Sequence, residues 1–172
     1  MCGAELKPLP DGVQRVAAVL AERGHPSLPV MLDDAARTAQ QAADALGVAL
    51  GQIAKSIVFK RKPDEAVVLV IASGDQRVDE KKVQALVCAA GQKLGRADAD
   101  FVKAKTGFTI GGVSPVGHLT PPVTLLDQRL LRFEAVWAAA GHPHAVFALQ
   151  PHDLIALTGA AFADVTPDAP TP

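Results

Sequence analysis

Ile53-Ala54-Lys55-Ser56-Ile57-Val58-Phe59, then Lys60-Arg61-Lys62-Pro63-Asp64-Glu65, then Ala66-Val67-Val68-Leu69-Val70-Ile71-Ala72, is the stretch that decides the fold. The two outer runs are short, rich in β-branched and aliphatic residues and separated by turn formers, which is how a pair of strands reads. The spacing predicts a hairpin with strands over 53–59 and 66–72, central to a sheet. Period-two alternation sets Lys55 on one face with Ile53, Ile57 and Phe59, the face expected to be buried. An ammonium there either points into a pocket or carries a desolvation cost, so Lys55 is the first candidate for chemistry. The alternative is an edge lysine whose stem packs while its head reaches water.

Outward from the hairpin, Val13, Val16, Ala17, Leu20 and Ala21 recur at helical spacing, predicting a helix over 11–23 with Asp11 as its cap and Gly24 as its stop. Prolines keep 25–31 extended. Asp33 or Asp34 then caps an Ala-rich helix that runs to Leu46 and ends at Gly47. On the other side a helix starts at Asp79 and ends near Gly91. A charged stretch up to Asp100 holds a short helix, and Phe101 and Val102 lead toward a glycine loop. Strands follow over 123–126, 135–139 and 145–149, with a short helical segment at 128–133 and a tight connection at 141–144. A last helix runs from His152 to Leu157. Strands and helices in irregular order, with no internal repeat, specify a single α+β domain around a mixed sheet, spanning 11–165. The proline-bearing segments 1–10 and 166–172 read as frayed tails.

At 172 residues the chain buries roughly two thirds of its unfolded surface on folding and needs no staple. Cys2 and Cys88 are isolated, without a CxxC pair, which argues against a disulfide framework and a zinc site and fits a reducing cytoplasm. No basic-then-apolar N-terminal segment and no apolar run near ~18 residues is present, so neither a signal peptide nor a membrane partner is expected. Seventeen basic against 18 acidic residues exclude a strongly basic protein gripping a long nucleic acid, but not one that touches a nucleic-acid end. Six Phe, one Trp and no Tyr make a base-stacking platform unexpected.

The second chemical candidate is the run Thr106-Gly107-Phe108-Thr109-Ile110-Gly111-Gly112-Val113-Ser114-Pro115-Val116-Gly117-His118. A strand-like Phe108-Thr109-Ile110 empties into two glycines, which allow positive φ and close approach to main-chain N–H groups, while Pro115 fixes φ and removes a donor. Such a turn can hold a carbonyl or carboxylate oxygen; it can equally be a plain connection. His118, His142 and His144 have no acid or thiol at ligand spacing to complete a metal site. Ser114 lacks a G-x-S-x-G elbow, Cys88 reads as a buried helix residue, and Asp79-Glu80-Lys81-Lys82 reads as a solvated first turn.

Taken together, Lys55-Ser56-Ile57-Val58-Phe59, Ala72-Ser73-Gly74-Asp75-Gln76-Arg77-Val78-Asp79-Glu80-Lys81-Lys82, Gly111-Gly112-Val113-Ser114-Pro115-Val116-Gly117-His118 and Ala139-Ala140-Gly141-His142-Pro143-His144 resemble the YbaK family, free-standing relatives of the editing domain inserted in bacterial prolyl-tRNA synthetases. The resemblance runs from about residue 11 to 160. It implies an α+β fold with a mixed, partly barrel-like sheet flanked by helices, and hydrolysis in trans of mischarged aminoacyl-tRNA. Its lysine falls on Lys55 and its G-x-x-x-P loop on Gly111 to Pro115, so Lys55, Gly111 and Gly112 are the implied catalytic positions. Ser114, Pro115, His118, Ser73 and His144 are the implied substrate-side positions. No cofactor and no metal are implied. The implied partner is the acceptor end of an aminoacyl-tRNA carrying a small amino acid (Ala, Ser, Thr or Cys), with a synthetase as a second candidate. An aminoacyl ester is already activated, so its hydrolysis needs placed water, a held carbonyl and an orienting charge, which a glycine loop and a lysine can supply. Lys55 reads as holding a phosphate or the ester rather than as a base. A non-catalytic tRNA- or synthetase-binding module of the same fold is the alternative, and a small-molecule binding protein a third.

Overall fold

The computed structural model of the chain describes residues 9–33 and 38–168. In chain order it contains α1 (Asp11–Glu22), β1 (Val30–Met31), α2 (Ala39–Leu46), β2 (Ile53–Lys62), β3 (Ala66–Ser73), α3 (Glu80–Val87), β4 (Lys93–Arg96), α4 (Ala99–Thr106), β5 (Val123–Asp127), β6 (Val136–Ala139), β7 (Ala145–Leu149), α5 (Asp153–Thr158) and β8 (Phe162–Ala163). The eight strands form one mixed sheet in the order β1-β7-β6-β2-β3-β5-β8, with β4 on β2, so the domain is α+β.

The β2–β3 hairpin is the axis of this sheet. It pairs antiparallel from Ala54 opposite Ser73 to Arg61 opposite Ala66. It is longer than its sequence pattern shows, because Lys60, Arg61 and Lys62, read as turn, continue the strand. Charged residues are accepted there because β4 pairs alongside (Phe59 with Arg96 to Lys62 with Lys93) and their heads meet acids across the turn: Lys60 with Glu65 at 3.0 Å and Arg61 with Asp64 at 2.7 Å. β3 is apolar on both faces, and Val67 to Ala72 are all buried. Ala54 and Val58 of β2 face the larger core, with Val13, Val16 and Leu20 of α1, Phe108 and Phe147. Ile57 and Phe59 face a smaller cluster with Val68, Val70, Val83 and Val165. The face carrying Lys55 is therefore covered, as the alternation suggests, but by the smaller of the two clusters.

One edge of β2 belongs to β3. The other is shared: β6 runs parallel at Ile53–Trp137 and Ala54–Ala138, and β4 takes over only at Phe59. Between these two partners residues 55–58 have a neighbour on the β3 side alone. A sheet that splits in this way opens a gap at its centre, and that gap positions the site.

Several local expectations are corrected. Phe101 and Val102 are helical, in α4, whose Asp98 caps it by accepting from Phe101 N at 2.8 Å. Phe108-Thr109-Ile110 is a loop: α4 ends at Gly107 in the left-handed region (φ 82°), and Phe108 N donates to Thr106 Oγ1 as the chain turns inward. Asp11 is the first residue of α1 and Pro10 occupies the cap. The cap of α2 is Thr38, paired reciprocally with Gln41; Asp34 lies outside the described residues. α3 stops at Val87, short of Gly91. At the C-terminal end, Thr166 is buried and Lys82 Nζ bonds Thr166 O, Asp164 and Asp168 at 2.7, 2.9 and 2.7 Å. No helix among the described residues is long and apolar enough to cross a membrane.

Candidate active site

Where β6 parts from β2 a cleft of about 290 Å³ opens. Ile53, Lys55 and Ile57 of β2 line one wall, Trp137 and Ala139 of β6 another. Gly111, Ile110 and Val113 of the glycine loop, Pro143 of the turn before β7, and Thr38 and Ala42 at the start of α2 complete it. Lys55 and Gly111, the two strongest sequence candidates, thus border one cavity. Among the described residues lining it, Lys55 is the one that is charged, and none carries a carboxylate, imidazole or thiol. Its ammonium makes no ion pair or hydrogen bond with any described residue. Lys55 also borders a wider, open groove whose walls carry Arg77, Lys81 and Arg96 beside Asp75, Asp79 and Glu80, so its charge stands between a small apolar cleft and a larger polar surface.

The two glycines of the loop have different jobs. Gly111 is exposed with φ +92°, a conformation that L side chains rarely adopt, and its N–H has no partner among the described residues. Gly112 donates its N–H to Thr109 O at 2.9 Å and is buried. A Cβ on Gly112 would lie 2.6 Å from His142 C and 2.7 Å from Pro143 N, so this glycine lets the loop lie directly on the 142–143 backbone. Gly12 and Gly141 make the same kind of contact one layer further on: a Cβ on Gly12 would sit 2.2 Å from Gly141 O. The start of α1, the 141–143 turn and the glycine loop are stacked backbone on backbone.

Arg15 of α1 locks this stack. Its Nε donates to Gly117 O at 2.7 Å, its Nη2 to Thr106 O at 3.1 Å, and its guanidinium lies 4.4 Å from the Phe108 ring centroid. The sequence reading missed it, because an arginine between the buried positions Val13 and Val16 carries no local signal of what it reaches.

The remaining candidates lie off the cleft lining. Ser114 is fully buried; its Oγ accepts from Val116 N at 3.1 Å and its carbonyl meets His118 Nε2 at 2.6 Å. A carbonyl only accepts, so Nε2 carries the proton and Nδ1 is left bare; Nδ1 is buried without a partner. Burial holds the His118 pKa below the ordinary imidazole value, the charge of Arg15 adds to this, and the Ser114 bond opposes it. Pro115 and His118 border a separate cleft with Arg23 and Thr124. Ser73, at the end of β3, donates from Oγ to Gly51 O at 2.5 Å, from N to Asp127 at 2.9 Å, and accepts from Arg132 Nη2 at 2.9 Å. His144 sits beside the cleft-lining Pro143, and its N–H donates to His142 Nδ1 at 3.0 Å. Among the described residues no three His, Cys, Asp or Glu side chains are grouped to hold a metal ion.

This assembly, an α+β sheet split around a lysine that faces a glycine loop, is that of a known class. The aminoacyl-tRNA editing domain family matches residues 33–157, and the chain belongs to it. Among relatives, the chain is 38% identical over 117 residues to the uncharacterized protein YwhH of Bacillus subtilis, covering 68% of this chain and 72% of that one. It is 32% identical over 130 residues to EbsC of Enterococcus faecalis, a candidate Cys-tRNA(Pro)/Cys-tRNA(Cys) deacylase, covering 75% of this chain and 77% of that one. A solved structure described as a candidate trans-editing enzyme for prolyl-tRNA synthetase superposes with a TM-score of 0.86 at 42% identity, over 94% of this chain and 100% of that one.

Proposed function

We propose that the chain is a trans-acting aminoacyl-tRNA hydrolase that cleaves the ester of tRNA mischarged with a small amino acid (Ala, Ser, Thr or Cys) and needs no metal. The observation that carries this reading is the Lys55–Gly111 cleft: an ammonium and a loop N–H, neither with a partner among the described residues, belong to residues that border one small apolar cavity in a member of an editing family. The aminoacyl group enters the cleft with its carbonyl oxygen toward the Gly111 N–H and the Lys55 ammonium. As water attacks, negative charge develops on that oxygen, and donors fixed in place stabilise it more than they stabilise the ester; one such donor is typically worth about 10²–10³ in rate. The tetrahedral centre collapses with release of the terminal ribose oxygen, which takes up a proton. Apart from Lys55 the described residues of the cleft lining offer no ionisable group, and in this reading the water's proton passes to the substrate itself, through the neighbouring ribose hydroxyl or the substrate's own side chain. The polar groove on the far side of Lys55, with Arg77, Lys81 and Arg96, takes the acceptor-end phosphates. Near-neutral net charge fits a grip confined to that end, in the cytoplasm, with a synthetase as a further partner.

The cleft of about 290 Å³ is walled by Trp137, Ile57 and Pro143, and its occupant in this reading is a small aminoacyl side chain. Exclusion by size rejects outright, whereas one methylene in an apolar pocket discriminates by only ~1–3 kcal/mol. Incubating the protein with a panel of aminoacyl-tRNAs in the presence of a chelator tests the reading. Ala-, Ser-, Thr- or Cys-tRNA should be deacylated well above the buffer rate and Phe- and Lys-tRNA left intact. Hydrolysis confined to the large substrates, or lost with the chelator and restored by zinc, would overturn it.

A further inference from the structure

We propose that the unpaired edge of β2 at residues 55–58 is the subsite for the substrate's α-amino group, read by main-chain carbonyls rather than by a side chain; this rests on the deacylase reading above. β3 runs along one edge of β2 from Ala54 to Arg61, while the other edge is taken by β6 only at residues 53–54 and by β4 only from Phe59. Neither β6 nor β4 is in register with residues 55–58, and no turn, loop or cap hydrogen bond engages their backbone among the described residues. Alternate residues of a strand turn both N–H and C=O toward the same edge, so this gap offers two carbonyls and two N–H groups spaced about 7 Å apart. Residues 55–58 are half-buried, so the peptide groups of this edge are within reach of a ligand.

The gap is not on an idle surface. Lys55, Ser56 and Ile57 line the cleft that takes the aminoacyl group. That group brings an amine, which donates N–H whether charged or neutral, and among the described residues the cleft lining holds no carboxylate to receive it. The one charge present, Lys55, is of the wrong sign for an ammonium. Main-chain carbonyls on an open strand edge supply the missing acceptors, as they do when an extended peptide adds to a sheet edge. Such a subsite reads the backbone of an amino acid and is blind to its side chain, which is left to the walls at Trp137, Ala139 and Pro143.

The test compares three tRNAs carrying alanyl, propionyl or N-acetylalanyl esters, each rate divided by its rate in buffer to remove intrinsic reactivity. Propionyl lacks the amine, and acetylation blocks it. The acceleration should fall at least about tenfold for both. Equal acceleration of alanyl and propionyl esters, within twofold, would overturn the proposal. A second measurement does not depend on turnover: ¹⁵N,¹³C-labelled protein is titrated with the non-hydrolysable 3′-(alanylamino) and 3′-(propionylamino) analogues of 3′-deoxyadenosine. The difference between the two sets of carbonyl and amide shifts should concentrate at residues 55–58, and a difference located elsewhere would overturn the subsite. If no aminoacyl-tRNA is hydrolysed, the deacylase reading fails while this titration still decides the subsite.

Discussion

Gly111 and Gly112 are neighbours and identical in type, yet they belong to different parts of the molecule. Gly111 is on the rim of the cleft: exposed, left-handed, its N–H without a partner among the described residues. Gly112 begins the anchor: buried, its N–H spent on Thr109, its Cα pressed on the His142–Pro143 backbone. From Gly112 to His118 the loop faces inward, held by the Ser114–His118 bond and by Arg15. The contrast teaches that a glycine loop can owe one glycine to ligand access and the next to packing, and that only substitution tells them apart.

Gly112→Val should have the largest effect on the fold. Its Cβ meets backbone atoms that cannot swing aside, so a cost of about 3 kcal/mol is expected, at the upper end of overpacking. At roughly 2–4 °C per kcal/mol for a chain of this size, the thermal midpoint should fall by several degrees, with activity lost in proportion to the folded fraction. An unchanged midpoint would show that the loop does not rest on that turn.

Gly111→Ala should do the reverse. The added Cβ lies 3.9 Å from Pro143 without a clash, and the cost is that of a left-handed alanine, about 1–2 kcal/mol. Deacylation should fall about tenfold or more, beyond what lost stability explains, because the donor N–H shifts and the rim narrows. Equal activity per folded molecule would remove Gly111 from the site.

His118 gives the smallest effect, visible only as a pH dependence. Its pKa in the folded state is depressed by burial, so the unfolded chain binds the proton more readily. The neutral imidazole therefore costs nothing above the unfolded pKa of about 6.5, and stability drops as pH falls below it. His118→Gln keeps a donor for Ser114 O but does not titrate. Thermal midpoints measured between pH 7.5 and 5 should fall less steeply for the variant than for the wild type; parallel curves would contradict the assignment.

The hairpin could be read from sequence because alternation and β-branched content agree over 53–59 and 66–72, and Lys55 and Gly111 could be named because residue type and spacing mark them as candidates and the family resemblance falls on the same two positions. Much of the rest is non-local. β1, β4 and β8 have two to four residues and too little sequence for a period, and their pairing is with distant strands. The gap at 55–58 exists because β6 and β4 arrive from opposite ends of β2, which no local pattern records. Ser73, Ser114 and His118 were candidates through the resemblance, but sequence does not say where a side chain points, and here each is engaged with the backbone of its own scaffold.

The claim at the centre of this account is that the chemistry occurs at Lys55 beside Gly111. Single-turnover deacylation of an alanyl-tRNA by Lys55→Met, with protein in excess and the thermal midpoint measured on the same sample, tests it most directly. Methionine keeps an unbranched apolar stem and removes the charge. A rate lowered by about 10²–10³ with a midpoint unchanged within a degree or two is the predicted result; a full rate in the folded variant would contradict it.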